Sequence, residues 1–273
     1  LIYILFLIGR LVGIKISRIL FAYLFKSLGF LFKSEKIIKK NIRTYSKDIS
    51  NLEEKEIIKG MWSNYGMTFI EYIFLDYFKK NNSHIFIEGE EYLSALIKKS
   101  KPIIFVSGHF ANFELMAMEI TKKNIPLAAI YRPLNNIFLN SFMEYLRKKY
   151  ICKNQIKKGI KGVKDSIEYL KNKHSIALMI DQRVSEGIWV NFFNKPALTT
   201  TLPAQLSIKF EIDIIPVYIE RTKDNNFVLE FQDRLNPKNF SNKQVLTEKL
   251  NNVLEKMVIK NPHQWIWTHN RWK

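Results

Sequence analysis

The chain opens on an unbroken apolar run, Leu1–Ile8, and changes character over Lys15–Lys36. Wound at about 100° per residue, Lys15, Arg18, Lys26, Lys33 and Lys36 fall within an arc of about 80°, and Ala22 and Gly29 complete that stripe. Ile19, Leu20, Tyr23, Leu24, Phe25, Leu28, Leu31 and Phe32 cover much of the remaining circumference. A wide apolar face beside a narrow cationic stripe predicts a helix lying in an anionic membrane surface. A core helix with a solvated lysine face is the plainer alternative. The opening run is too short to cross a bilayer, which takes about 20 residues. A span needs Leu11–Ile14 counted in, or residues upstream of Leu1. No small-residue cleavage site follows the run, which argues against a signal peptide.

Residues 51–80 read as a helical pair, charged over Glu53–Lys59 and aromatic-rich over Met61–Tyr77, a core-packing pattern. From residue 84 the periodicity shortens. Strand-type runs at 85–87, 103–106, 127–131, 175–180, 214–220 and 227–232 alternate with helical patterns at 91–98, 110–122, 137–150, 162–172, 202–210 and 242–260. That alternation predicts an α/β fold with a largely parallel sheet flanked by helices. The expected organisation is a membrane anchor or interfacial helix over 1–36, a helical part over 37–80 and an α/β core over 81–273.

Composition sharpens the picture in one respect. Of the 273 residues, 43 are Lys or Arg and 25 are Asp or Glu, a net charge of +18. This charge points to polyanionic partners: nucleic acid, anionic lipid or an acidic carrier protein. A coding bias toward lysine, isoleucine and asparagine accounts for part of the excess. Cys152 is the single cysteine, so no internal disulfide and no cysteine zinc cage can form, and the chain fits a reducing compartment.

The sharpest local feature is Ser107-Gly108-His109-Phe110-Ala111-Asn112-Phe113-Glu114. An apolar strand ends, glycine permits a tight turn, and His109 stands where the next helix is expected, at the strand end where α/β folds build sites. If that helix folds Glu114 back, its carboxylate can orient the imidazole, and the other ring nitrogen can take a proton from an attacking hydroxyl. Backbone N–H groups at the helix start are candidates for an oxyanion site. A capping histidine beside a surface glutamate has the same spacing.

The wider pattern resembles the bacterial late acyltransferases of lipid A biosynthesis, the lauroyl/myristoyl acyltransferase family. After the basic, apolar N-terminus, the resemblance runs through Phe86-Ile87-Glu88-Gly89-Glu90-Glu91, the His109–Glu114 motif, Tyr131-Arg132-Pro133-Leu134-Asn135-Asn136 and Met179-Ile180-Asp181-Gln182. It continues through Val190–Ala197 to the terminal Trp265-Ile266-Trp267-Thr268-His269-Asn270-Arg271-Trp272-Lys273. The family implies acyl-acyl carrier protein as donor, a hydroxyacyl chain of a lipid A precursor as acceptor, no metal or redox cofactor, and a cytoplasm-facing site at the bacterial inner membrane. It makes His109 the general base and Glu114 its partner, within an acyltransferase domain over 37–273.

Arg132 follows a strand and is expected either to bind a phosphate of the acceptor or of the carrier's pantetheine arm, to assist an oxyanion, or to form a structural salt bridge. Asn135 is a companion substrate-binding candidate. Arg147 is a further cation on the next helix, whose Lys/Arg face otherwise reads as solvated. Asp181 ends a strand on the same edge, for a site role or a turn. The family often carries a second Asp two residues later, where this chain has Arg183. Phe192-Phe193 reads as a packing loop or an acyl-pocket wall, Trp265–Arg271 as an alternating strand with interfacial tryptophans, and His84 as solvated. No Ser or Cys adjoins His109, so direct transfer without an acyl-enzyme is expected. The alternatives are acylation of a glycerophosphate or another glycolipid and, in a different class, a basic nucleic-acid-binding protein, against which the absence of a helix-turn-helix or RNA-binding signature argues.

Overall fold

The structure is a computed structural model that describes residues 2–98 and 101–273. Leu1 of the opening run and the Phe32 side chain lie outside what is described. The helices are α1 (Ile2–Phe32), α2 (Glu35–Tyr45), α3 (Asn51–Glu71), α4 (Leu75–Lys80), α5 (Glu91–Lys98), α6 (Glu114–Lys122), α7 (Ile137–Leu146), α8 (Ile160–Lys171), α9 (Leu202–Phe210) and α10 (Lys243–Lys260). The strands are β1 (Ile85–Glu88), β2 (Ile104–Ser107), β3 (Leu127–Tyr131), β4 (Asn154–Lys157), β5 (Ser175–Met179), β6 (Ile188–Phe192), β7 (Lys195–Thr199), β8 (Ile214–Arg221) and β9 (Phe227–Phe231).

Seven strands form one sheet in the order β1-β9-β8-β2-β5-β3-β4. From β8 to β4 all neighbours are parallel; β9 runs antiparallel to β8, and β1 parallel to β9. This is the expected mostly parallel sheet flanked by helices. Every residue of β2 is buried, as a strand covered on both faces requires. β4 has one buried residue, Ile156, and lies at the sheet edge. Its polar sequence hid it from the hydrophobic pattern. β6 and β7 form a separate antiparallel hairpin whose two turn residues, Phe193 and Asn194, have φ of 52° and 56°. A two-residue hairpin loop favours this left-handed geometry, but here without the glycine that normally announces it.

The N-terminal helix departs from expectation in its partners. It is broken at Gly13 (φ 81°, ψ 165°), and Lys36 belongs to α2, so the cationic stripe is not one continuous surface. Phe6, Phe21 and Phe25 are buried against α3, with Phe69 5.2–6.3 Å from all three rings. The helices touch through glycine: a Cβ on Gly66 would lie 2.2 Å from the Phe21 carbonyl oxygen. Arg18, expected in the solvent-facing stripe, is buried and donates to Glu71 at 2.6 Å. Helical periodicity grouped it with the lysines, but α3 offers it a buried carboxylate. Lys15, Lys26 and Lys33 remain exposed, as do Leu7, Leu11, Ile19, Tyr23 and Leu31, each more than 60% accessible. Among the described residues no helix is long and apolar enough to cross a membrane.

Two further expectations are corrected. Trp265 and Trp267 are buried and lie in no strand, so they are core residues and not interfacial ones. His84 is buried against Phe78 rather than solvated, and burial first, then Lys122 and Arg18, lower its pKa to about 4.

Candidate active site

Parallel pairing of β2 with β5 sets Ser107 opposite Met179, and Ile180 N–H donates to the Ser107 carbonyl at 2.9 Å. His109 and Asp181 each lie two residues beyond that pair, so the sheet itself delivers them to one place. The His109 Nδ1···Asp181 Oδ1 distance is 2.7 Å. Oδ2 accepts from the His109 backbone N–H at 2.8 Å and from Trp265 Nε1–H at 2.9 Å. Asp181 is buried, which alone would raise its pKa. The His109 charge outweighs this together with hydrogen bonds from His109 and Trp265, and the carboxyl is held at about 2. A carboxylate at Nδ1 demands the proton on that nitrogen and leaves the Nε2 lone pair free to accept.

Glu114 does not meet His109. Helix α6 starts at Glu114 rather than at Phe110, and the residues before it form a tight turn with Ala111 at φ 44°. The five-residue spacing brings side chains together along a helix and not around this turn. Glu114 instead accepts from Arg147 Nε at 2.9 Å, again from Arg147 Nη2, and from the Tyr72 hydroxyl. Arg147 Nη2 also donates to the Tyr72 oxygen at 2.8 Å, and the guanidinium lies 5.7 Å from both the Tyr72 and Tyr131 rings. The Arg147 side chain, just past the end of α7, is 11% exposed and does not belong to a solvated Lys/Arg face. Burial opposes its charge, but Glu114 and Tyr72 raise its pKa.

The turn is clamped from below. Ala111 N–H donates to the Gln264 carbonyl, and the Ala111 carbonyl accepts from Thr68 Oγ1 at 2.9 Å and Asn64 Nδ2 at 3.2 Å. Asn112 donates to Glu71 at 2.8 Å, itself held by Arg18 and Arg221. The His109, Phe110 and Ala111 amides are engaged by Asp181, Gly108 and Gln264.

His109, Glu114, Arg132, Asn135 and Arg147 line one cavity of about 460 Å³, and Asp181 sits behind His109. Met116, Ile130, Leu178, Leu202 and Ile266 supply apolar wall, and Gln182, Thr200 and His269 supply polar wall. His269 lies in the wall of the same cavity as His109. Its Nε2 is buried without a hydrogen-bond partner among the described residues, and burial lowers its pKa. Phe192 is fully buried and stacks on Trp272, so it packs and does not line this cavity. Arg183, standing where a second Asp is frequent, also lies outside the lining. A second cavity of about 480 Å³ beside β1 and β9 holds Glu88, Glu91, Glu230 and Asp233, away from His109.

The family model of the bacterial lipid A biosynthesis acyltransferases matches residues 1–273. The chain belongs to this family. It is an acyltransferase of lipid A biosynthesis. It is 24% identical over 262 residues to the lipid A biosynthesis acyltransferase of Haemophilus influenzae, covering 93% of this chain and 82% of that protein. It is 22% identical over 254 residues to the lipid A biosynthesis lauroyltransferase of Escherichia coli, covering 90% and 81%. The solved structure of the 1-acyl-sn-glycerophosphate acyltransferase of Thermotoga maritima aligns with a TM-score of 0.44 and 16% identity, over 93% of this chain and all of that one.

In this acyltransferase the residues that sequence reasoning missed are Trp265 and Tyr72, both buried. Trp265 stood in a motif already noted, but nothing local signals that its indole N–H reaches a carboxylate 84 residues away. Tyr72 was assigned to packing, which its burial satisfies, while its hydroxyl joins the Glu114–Arg147 cluster.

Proposed function

We propose that this acyltransferase moves a fatty acyl group from acyl-acyl carrier protein to the hydroxyl of an acyl chain on a lipid A precursor, with His109 as general base. The supporting observation is the His109–Asp181 pair, which leaves Nε2 as the basic nitrogen of a histidine that lines a partly apolar cavity. In the proposed reaction Nε2 takes the hydroxyl proton and the oxygen attacks the thioester carbonyl. Collapse of the tetrahedral intermediate breaks the C–S bond, and the imidazolium returns its proton to the departing thiolate. Asp181 holds the tautomer and stabilises the imidazolium without taking the proton. Glu114 acts through Arg147 and Tyr72 on the cavity wall, with Arg132 and Asn135 as substrate contacts.

The net charge of +18 favours a strongly acidic carrier protein over coenzyme A, because complementary fields raise encounter rates. With purified protein, kcat/KM should be higher for the carrier thioester, and the gap should narrow as salt rises. Mass spectrometry should find the added acyl group on the hydroxyacyl chain of the glycolipid. Equal or better kcat/KM with acyl-coenzyme A at every salt concentration would remove the carrier protein. Acylation of glycerophosphate, but not of the glycolipid, would replace the acceptor.

The N-terminal segment over 1–36 is proposed to lie on the cytoplasmic face of the bacterial inner membrane. The support is its exposed apolar residues Leu7, Leu11, Ile19, Tyr23 and Leu31, together with the exposed Lys15 and Lys26. Replacing Lys15 and Lys26 by Gln should weaken binding to anionic vesicles by about 1 kcal/mol per charge, less at high salt. Unchanged partition into anionic vesicles would make these lysines ordinary solvated residues. Arg18 is excluded from the test because it is tied to Glu71.

A further inference from the structure

Helix α3 carries three buried polar side chains within its apolar, aromatic-rich stretch: Asn64, Thr68 and Glu71. Their spacing of four and then three residues puts them on one face of the helix. All three meet one guanidinium, that of Arg221 at the end of β8, whose side chain is buried over the Phe227 ring. Arg221 donates from Nε to Asn64 Oδ1 at 3.1 Å and from Nη2 to Thr68 Oγ1 at 3.4 Å. It holds both oxygens of Glu71, Nη1 on Oε1 and Nη2 on Oε2. Its backbone N–H and carbonyl are bonded to the Gln264 side chain at 2.7 and 2.8 Å.

Each of these four partners passes the contact on to the turn behind His109. Asn64 and Thr68 donate to the Ala111 carbonyl, the Gln264 carbonyl accepts from Ala111 N–H, and Glu71 Oε2 accepts from Asn112 Nδ2. Ala111 is held at φ 44°, which an alanine keeps only where its surroundings over-determine it. Stability alone does not call for such a cluster, since apolar residues of similar volume serve a buried position as well as an ion pair does. Burial disfavours the Glu71 charge, but Arg221 and then Arg18 of α1 outweigh it and lower its pKa. None of Asn64, Thr68, Glu71 and Arg221 lines the cavity. What they hold is the segment two residues past His109, whose backbone N–H and Nδ1 both engage Asp181.

We infer that Arg221 is a positioning residue for acyl transfer: with Asn64, Thr68, Glu71 and Gln264 it fixes the Ala111–Asn112 turn in the conformation that aligns His109 with Asp181. It touches no substrate and acts through the turn. A lysine at this position keeps a cation for Glu71 but lacks the planar fork that reaches Asn64, Thr68 and Glu71 at once. The inference rests on the His109–Asp181 mechanism proposed above.

Arg221→Lys and Thr68→Val, folded by circular dichroism, should each lose about ten- to a hundredfold in kcat with KM unchanged for donor and acceptor, the effect of a small misplacement of a catalytic group. Thr68→Ser keeps the hydroxyl and should stay near wild type. In an Asp181→Asn background Arg221→Lys should cost less than about twofold in the residual rate, because no pair remains to be aligned. A merely structural role predicts the same loss in both backgrounds, and that result, or undiminished kcat in both folded variants, overturns the inference. The ring-nitrogen resonances of His109 in ¹⁵N-histidine-labelled protein read the alignment without turnover. Their displacement in Thr68→Val and Arg221→Lys supports the positioning role even if Asp181→Asn proves active and the acyl-transfer mechanism fails. Resonances that match the wild type in both variants overturn it.

Discussion

His109→Ala should lose about 10²–10⁴-fold in transfer rate, the contribution of a positioned general base, while its circular dichroism and membrane partition match the wild type. Asp181→Asn should fall by a comparable factor. An amide in place of the carboxylate neither stabilises the imidazolium nor enforces the proton on Nδ1. The double variant should be little worse than either single one, because the two residues act as a unit joined at 2.7 Å. Sequence spacing would have assigned that unit to His109 and Glu114. Near-wild-type turnover by folded Asp181→Asn would therefore remove the pairing from the mechanism, and near-wild-type turnover by His109→Ala would remove the general base.

The same carboxylate has a signature in stability. Asp181 is held at about 2 against an ordinary 3.8, so its folded pKa is depressed. Its contribution, roughly 2 kcal/mol, is present above pH 4 and is lost as pH falls toward 2. In denaturant titrations the wild type should weaken over this window more than Asp181→Asn does, and parallel pH profiles would contradict that.

Arg147→Met should be the most destabilising single change at the site. It leaves the Glu114 carboxylate, 9% exposed and bonded to Tyr72, without its buried cation. Breaking a buried pair from one side costs about 3–5 kcal/mol. Replacing both partners, as in Glu114→Leu with Arg147→Met, should recover much of that loss, since an apolar pair of similar volume leaves no uncompensated charge. Chemical denaturation decides the matter: additive losses in the double variant would show that the two side chains do not depend on each other. Recovery of stability without recovery of turnover would separate the architectural role of Glu114 from its place on the cavity wall.

Local pattern determined much of this protein. Short apolar runs bounded by turns marked six of the seven strands of the main sheet; for a strand buried throughout, such as β2, both faces are covered and the run must be apolar along its length. The strand ends then pointed to His109, Arg132 and Asp181, since a parallel sheet gathers the residues just past its strands along one edge. The polar edge strand β4 left no such trace. Nor did the helical period show which member of a cationic arc would be buried: Arg18 and Lys15 share the arc, but Arg18 faces Glu71 of α3.

The partnerships were decided by tertiary structure alone. His109 bonds a carboxylate 72 residues away because β2 and β5 lie side by side, and that carboxylate bonds an indole a further 84 residues on. Strand order is a property of how the helices pack the sheet, and no local spacing encodes it. The turn before α6 also overrode the five-residue spacing. Held by Thr68, Asn64 and Gln264, it carries Glu114 to Arg147 and leaves His109 to Asp181. Sequence thus determined which residues could do chemistry and at which edge of the sheet. The contacts among distant segments decided which of them meet, because a side chain's partner is set by the surface packed against it.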